Sequence, residues 1–134
     1  MAMRPSWDEY GLALATTAST RAACTRRQVG AVILSMTHRV ISMGYNGTQT
    51  GEVNCSDGGC PRGQLSYEEC AAFSVYTNCR GIHAEHNAIE YAMGRSLAGS
   101  TIYITCEPCY ECRERIAETF IERVVWPSGE YQNV

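Results

Sequence analysis

Pro108-Cys109-Tyr110-Glu111-Cys112 constrains this chain more than any other stretch. Two cysteines three positions apart share one face of a helix's first turn, and a proline suits the first helical position because its missing N–H costs nothing there. A helix N-terminus is electropositive, so it favours thiolate over thiol. Two thiolates are half of a zinc site. The best source of the other half is His83-Ala84-Glu85, with His83 as third ligand. Three protein ligands with an open fourth position describe a catalytic zinc, whereas four closed ligands describe a structural one. Glu85 then belongs beside the open position as a proton carrier, not in the ligand set. Each motif alone has a plainer explanation. Cys-x-x-Cys also serves in zinc knuckles and redox pairs. A lone histidine is usually a satisfied core residue, and a glutamate in a helix's first turn gains ~0.3–1 kcal/mol from the dipole. Together the two motifs are much more specific.

The remaining composition is compatible with that reading. At 134 residues, 1–134 is expected to form a single domain with a real core. No run of roughly 18 apolar residues is present, so no membrane span is expected. The opening Met-Ala-Met-Arg-Pro-Ser-Trp-Asp-Glu lacks the apolar centre of a signal peptide. Eight cysteines without an export signal point to metal binding in a reducing cytoplasm rather than to a disulfide scaffold. The formal charge is −3. A His-Cys-Cys zinc site adds nothing net, while a four-thiolate site adds about −2, so the chain is more acidic than its formula. There is no basic run to hold a polynucleotide, and a small-molecule substrate is expected instead, with no nucleic acid partner. All eleven basic residues are arginine, so an anion site must use guanidinium or backbone N–H.

Periodicity places the motifs. Ser6 and Glu9 form a capping box, and Trp7, Tyr10, Leu14 and Ala18 follow at helical spacing, predicting a helix over 6–21. The β-branched run 28–34 predicts a buried strand, 37–39 a turn and 40–45 the returning strand. The region 47–82 reads as long and irregular, with Ser66-Tyr67-Glu68-Glu69 able to cap a short helix. A helix over 83–93 stops at Gly94, a strand covers 101–105, and a helix covers 109–121 with Ile116 and Phe120 inward and Glu111, Glu114, Arg115, Glu118 and Glu122 outward. A last strand covers 123–126. This order predicts a three-layer α/β/α sandwich around a mixed sheet of four to five strands.

Several stretches resemble the cytidine deaminase superfamily, and most closely its deoxycytidylate (dCMP) deaminases: residues 26–33, Gly44-Tyr45-Asn46-Gly47-Thr48, residues 79–89, Thr101 to Thr105, and Pro108 to Cys112. His-x-Glu with Pro-Cys-x-x-Cys is the mark of zinc nucleobase deaminases in general. The Gly-Tyr-Asn-Gly stretch and the early cysteine-rich loop point to the dCMP branch. The resemblance implies a five-stranded sheet, a homo-oligomer (usually a hexamer), and hydrolysis of dCMP to dUMP and ammonia. It implies Glu85 as proton shuttle, Asn46 on the sugar, Ala84 in the substrate site, and Arg26 and Arg27 on the 5′-phosphate. It also implies an effector stretch at Gly44, Tyr45, Asn46 and Gly47, where a deoxynucleoside triphosphate would bring magnesium. Three features depart from the family. The chain ends soon after the 123–126 strand, which leaves a fifth strand and a last helix open. His86 replaces a longer neutral side chain, and Cys70 and Cys106 are extra thiols.

The catalytic motifs use two of the eight cysteines. The 47–82 loop is poor in apolar residues, so packing alone should hold it weakly. A second, structural zinc on Cys24, Cys55, Cys60 and Cys79 is expected, the resemblance implying such a zinc with Cys24 and Cys55 among its ligands, with Cys70 as the alternative to Cys79 and buried free thiols as the plainer option. Two other functions remain open at the level of sequence. One is deamination of another small cytosine, guanine or modified pyrimidine compound. The other is a non-enzymatic zinc-stabilised module, which would have no use for Glu85.

Overall fold

In the computed structural model, residues 4–22, 28–47 and 83–133 are described. The elements are α1 (Trp7–Ser19), β1 (Gly30–Leu34), β2 (Val40–Tyr45), α2 (Ala84–Tyr91), β3 (Thr101–Ile104), α3 (Tyr110–Ala117), β4 (Arg123–Trp126) and β5 (Gly129–Gln132). Helix α1 starts as the capping box requires: Glu9 N–H donates to Ser6 Oγ at 3.1 Å and Ser6 N–H donates to Glu9 Oε1 at 2.9 Å.

The strands form one sheet in the order β2-β1-β3-β4-β5. Only β3 and β4 run parallel; the other pairs are antiparallel. Strand β1 is buried along its whole length, which is why it reads as a continuous apolar run. Its alternate residues feed two cores. Val32 and Leu34 pack with Ala15 of α1, Tyr103 and Val125 on one face. Ala31 and Ile33 pack with Ala84, Ala88, Ile102, Ile104, Ile116 and Val124 on the other, beneath α2 and α3. The result is the expected α/β/α sandwich. Two glycines let the helices lie close. A Cβ on Gly30 would collide with the Ala15 carbonyl oxygen of α1, and one on Gly44 would lie 2.5 Å from both Ala84 O and Ala88 N of α2. Ser42 Oγ also donates to Ala88 O, fastening α2 to β2.

Several boundaries and one side chain differ from expectation. Strand β1 begins at Gly30 rather than at 28, and α1 ends at Ser19 rather than at 21. Helix α2 ends at Tyr91, before Met93 and Gly94 take positive φ angles of 54° and 79°. Helix α3 ends at Ala117, not at 121. Beyond it, Phe120 is 82% exposed and Ile121 fills the inward position instead. The cause is a set of competing hydrogen bonds. Ile121 N–H donates to Thr119 Oγ1 at 3.2 Å, and Asn133 Nδ2 donates to both Ile116 O (3.0 Å) and Ile121 O (2.7 Å). These partners satisfy the helix-end carbonyls that a further turn would have used. The five polar residues expected outward on this segment are all exposed. The question of a fifth strand resolves in its favour: Pro127 and Ser128 turn the chain, and β5 pairs antiparallel with β4 from Trp126↔Gly129 to Arg123↔Gln132.

A charged clamp joins α1 to the far side of the sheet. Arg123 donates from Nη1 and Nη2 to the two Asp8 carboxylate oxygens at 2.9 and 2.7 Å, and from Nε to Glu130 Oε2 at 2.6 Å. The buried Tyr103 hydroxyl donates to Asp8 Oδ1 at 2.9 Å. Arg123 holds the Asp8 carboxyl below the usual carboxylate range, and burial followed by the Asp8 bond pushes Tyr103 up to about 12. Asp8 is partly exposed, which reduces its effect, so Asp8→Ala is expected to cost about 1.5 kcal/mol at neutral pH, the lower end for bonds to a charged group. Because the folded pKa is depressed, the contribution is full above the unfolded value of ~3.9 and fades as pH falls through the lower folded value. Urea unfolding at pH 7 and pH 3 should therefore show a gap between wild type and Asp8→Ala that narrows in acid. A gap of equal size at both pH values would count against the clamp.

Candidate metal centre

Two helix starts meet at one end of the sheet. His83 is the N-cap of α2 and Cys109 the N-cap of α3. Cys109 has extended backbone (φ −74°, ψ 172°), so Pro108 precedes the cap rather than opening the helix as expected. Both caps still begin their helices: Asn87 N–H donates to His83 O at 3.1 Å and Arg113 N–H to Cys109 O at 2.9 Å. His83 Nδ1 lies 3.1 Å from Cys112 Sγ and 3.6 Å from Cys109 Sγ. Among the described residues these three form a group whose donor atoms all lie within 4.8 Å of one another. Tetrahedral zinc with ordinary Zn–S and Zn–N bonds needs N···S edges of ~3.6 Å. The Cys109 edge at 3.6 Å matches that spacing and the Cys112 edge at 3.1 Å is shorter; one imidazole nitrogen and two sulfurs, grouped this closely, are a donor set suited to that ion.

Glu85, in the first turn of α2, is 3% exposed and close enough to Cys112 to perturb it. Burial, reinforced by Glu85 and Cys109, pushes the Cys112 thiol well above its ordinary pKa. A divalent cation reverses that sign, since a coordinating thiol is deprotonated outright.

Supporting contacts hold the two starts in place. Arg113 donates from Nε to Pro108 O at 3.1 Å and from Nη2 to Glu107 Oε2 at 3.2 Å. Its guanidinium lies over the rings of Tyr131 (4.8 Å) and Trp126 (5.5 Å). Asn87 Nδ2 donates to Tyr45 O at 2.8 Å and so ties α2 to the end of β2. The sequence reading passed over Asn87, Arg113, Trp126 and Tyr131. Position 87, two residues beyond Glu85 in the same helical turn, was the one available signal.

Of the other expected site residues, Asn46 is at the end of β2, where its Oδ1 accepts from Val29 N–H at 2.7 Å. Ala84 is fully buried beneath Gly44. Tyr45 is partly exposed, and Gly44 and Gly47 are buried. The His86 ring stacks 5.7 Å from His83, and burial lowers its pKa. Cys106 is half-buried and carries no disulfide. Arg26, Arg27, Cys24, Cys55, Cys60, Cys70 and Cys79, with the 66–69 cap, lie outside the described residues.

The family described as the cytidine and deoxycytidylate deaminase zinc-binding region matches residues 5–128. This chain belongs to that family. It is 44% identical over 131 residues to a deoxycytidylate deaminase of Mycobacterium phage D29, spanning 92% of this chain and 96% of the relative. It is 42% identical to a deoxycytidylate deaminase of Saccharomyces cerevisiae, but spans only 38% of that longer protein. The dCMP deaminase of cyanophage S-TIM5, solved in complex with dCMP and dUMP, superposes with a TM-score of 0.70 at 26% identity, over 93% of this chain and 83% of that one. The cytidine deaminase of Mycobacterium leprae shares the fold, with a TM-score of 0.59 at 17% identity. No helix among the described residues is long and apolar enough to cross a membrane.

Proposed function

We propose that this protein is a zinc-dependent deaminase that hydrolyses dCMP to dUMP and ammonia. The observation that carries the reading is the buried Glu85 carboxylate beside three donors spaced for zinc, His83, Cys109 and Cys112. The complex of the cyanophage relative with dCMP and dUMP supports this choice of substrate and product. His83, Cys109 and Cys112 would hold the zinc, which when bound would supply a nucleophile at neutral pH by lowering the pKa of water from 15.7 to about 7. Glu85 takes one proton of the attacking water and delivers it to ring nitrogen 3, then takes the remaining hydroxyl proton and passes it to the departing amino nitrogen. Water thus replaces the amino group, which leaves as ammonia. Asn46 hydrogen-bonds the sugar, the Ala84 backbone lies against the base, and Arg26 and Arg27 hold the phosphate.

The reading extends to four further points. Cys24, Cys55, Cys60 and Cys79 hold a structural zinc. The Gly44 to Gly47 segment takes a deoxynucleoside triphosphate effector with magnesium. The chain works as a homo-oligomer, and it does so in the reducing cytoplasm that free thiolate ligands require. Support comes from the cysteine surplus and the resemblance. Ammonia release on a panel of dCMP, deoxycytidine, cytosine and guanine, run with metal analysis, tests the reading. The expected result is fastest release from dCMP and about two zinc ions per chain, falling to about one in Cys55→Ser. Faster release from an unphosphorylated base or nucleoside would replace dCMP as the substrate, and about one zinc in loaded wild type would remove the structural site.

A further inference from the structure

Among the described residues, β2 is an edge of the sheet, so the backbone groups on its outer side have no strand to bond. The Tyr45 carbonyl is one of them, and α2 supplies its partner: Asn87 Nδ2 donates to Tyr45 O at 2.8 Å. Tyr45 C=O and Asn46 N–H belong to one planar peptide and point in opposite directions. Asn46 N–H donates inward to Val29 O at 3.1 Å, and Asn46 Oδ1 accepts from Val29 N–H at 2.7 Å. The plane that carries Asn46 is therefore gripped on both sides, by Val29 beside β1 and by Asn87 of α2.

The same asparagine is anchored at the metal centre. It follows Glu85 by two residues, and its own N–H donates to His83 O at 3.1 Å in the opening turn of α2. Gly44 lets the side chain lie against the strand, since a Cβ at Gly44 would stand 3.0 Å from Asn87 Cβ. One residue further along α2, the Ser42 bond to Ala88 O fixes the helix to β2 a second time. A helical turn, a hydrogen bond and a planar peptide are thus all that separate His83 and Glu85 from Asn46.

We infer that Asn87 is a positioning residue for the substrate: it sets where Asn46 meets the sugar relative to the Glu85 carboxylate. The inference rests on the assignment of Asn46 to the sugar in the proposed function. Without the Asn87 bond, Tyr45 O turns to water and the Asn46 end of the edge strand is held from the Val29 side alone. Water replaces an exposed partner at small net cost, so the loss falls on orientation more than on folding.

Asn87→Ala removes the donor. Asn87→Asp keeps the size and sets an acceptor against the Tyr45 carbonyl; a carboxylate is favourable near a helix start, so this variant serves if the Ala variant folds poorly. Each is expected to raise KM for dCMP ~3- to 10-fold, the worth of one hydrogen bond. Turnover should change less than about twofold, the pattern of lost uniform binding. Calorimetric titration of the zinc-loaded protein with dUMP, which has the same sugar and phosphate, should weaken by the same factor. In an Asn46→Ala background, adding Asn87→Ala should alter neither value by more than about twofold, because the group it positions is gone. An equal effect in both backgrounds marks a purely structural role and overturns the inference, as do unchanged KM and dUMP affinity in both single variants. Unchanged KM in Asn46→Ala would remove the sugar assignment and this inference with it. Wild type that neither binds dUMP nor deaminates dCMP would remove the proposed function itself.

Discussion

Glu85→Ala is expected to keep its zinc and fold while losing at least ~10²-fold in turnover, the usual minimum for removing a positioned general acid–base. Glu85 is 3% exposed and lies in the first turn of α2. It is not among the grouped donors, whose three atoms come from His83, Cys109 and Cys112. Its loss should therefore leave those three donors in place and remove the carboxylate proposed to carry protons between water and base. Glu85→Gln, of nearly the same size, should fail equally, which separates proton transfer from packing. His83→Ala should behave differently, losing metal and activity together. Zinc content beside the initial rate of ammonia release checks both. A Glu85→Ala enzyme with more than a tenth of wild-type turnover would show that the shuttle is another group.

Gly30→Ala should be the most damaging single methyl in the fold. The added carbon would occupy the space of the Ala15 carbonyl oxygen and lie 2.5 Å from Ser19 N, both in the backbone of α1. A side chain could turn aside, but helix backbone cannot, so α1 must lift from the sheet. Lifting it opens the core of Ala15, Val32, Leu34 and Tyr103. Overpacking ordinarily costs 1–3 kcal/mol, and this site should reach about 3 kcal/mol or more. For a chain of this size that is a fall in melting temperature of about 10 °C or more. A variant melting within two or three degrees of wild type, on the order of 1 kcal/mol, would show that α1 yields more easily than its contacts imply.

What the sequence determined by itself was local or periodic. Ser6 and Glu9 are three residues apart, and the capping box they form needs no other part of the chain. The buried run of β1 and the exposed face of α3 follow from apolar spacing, which folding preserves. His83, Glu85, Cys109 and Cys112 were legible because a zinc chemistry restricts residue type and spacing together. The tertiary structure decided how those pieces meet. It brought the His83 ring to two sulfurs 26 and 29 residues away. It turned Phe120 outward and Ile121 inward, because Asn133 supplied the bonds that end α3. Asp8 and Arg123 are 115 residues apart, and nothing in either neighbourhood marks them as a pair. Such contacts depend on the distance between elements, which side-chain periodicity does not encode.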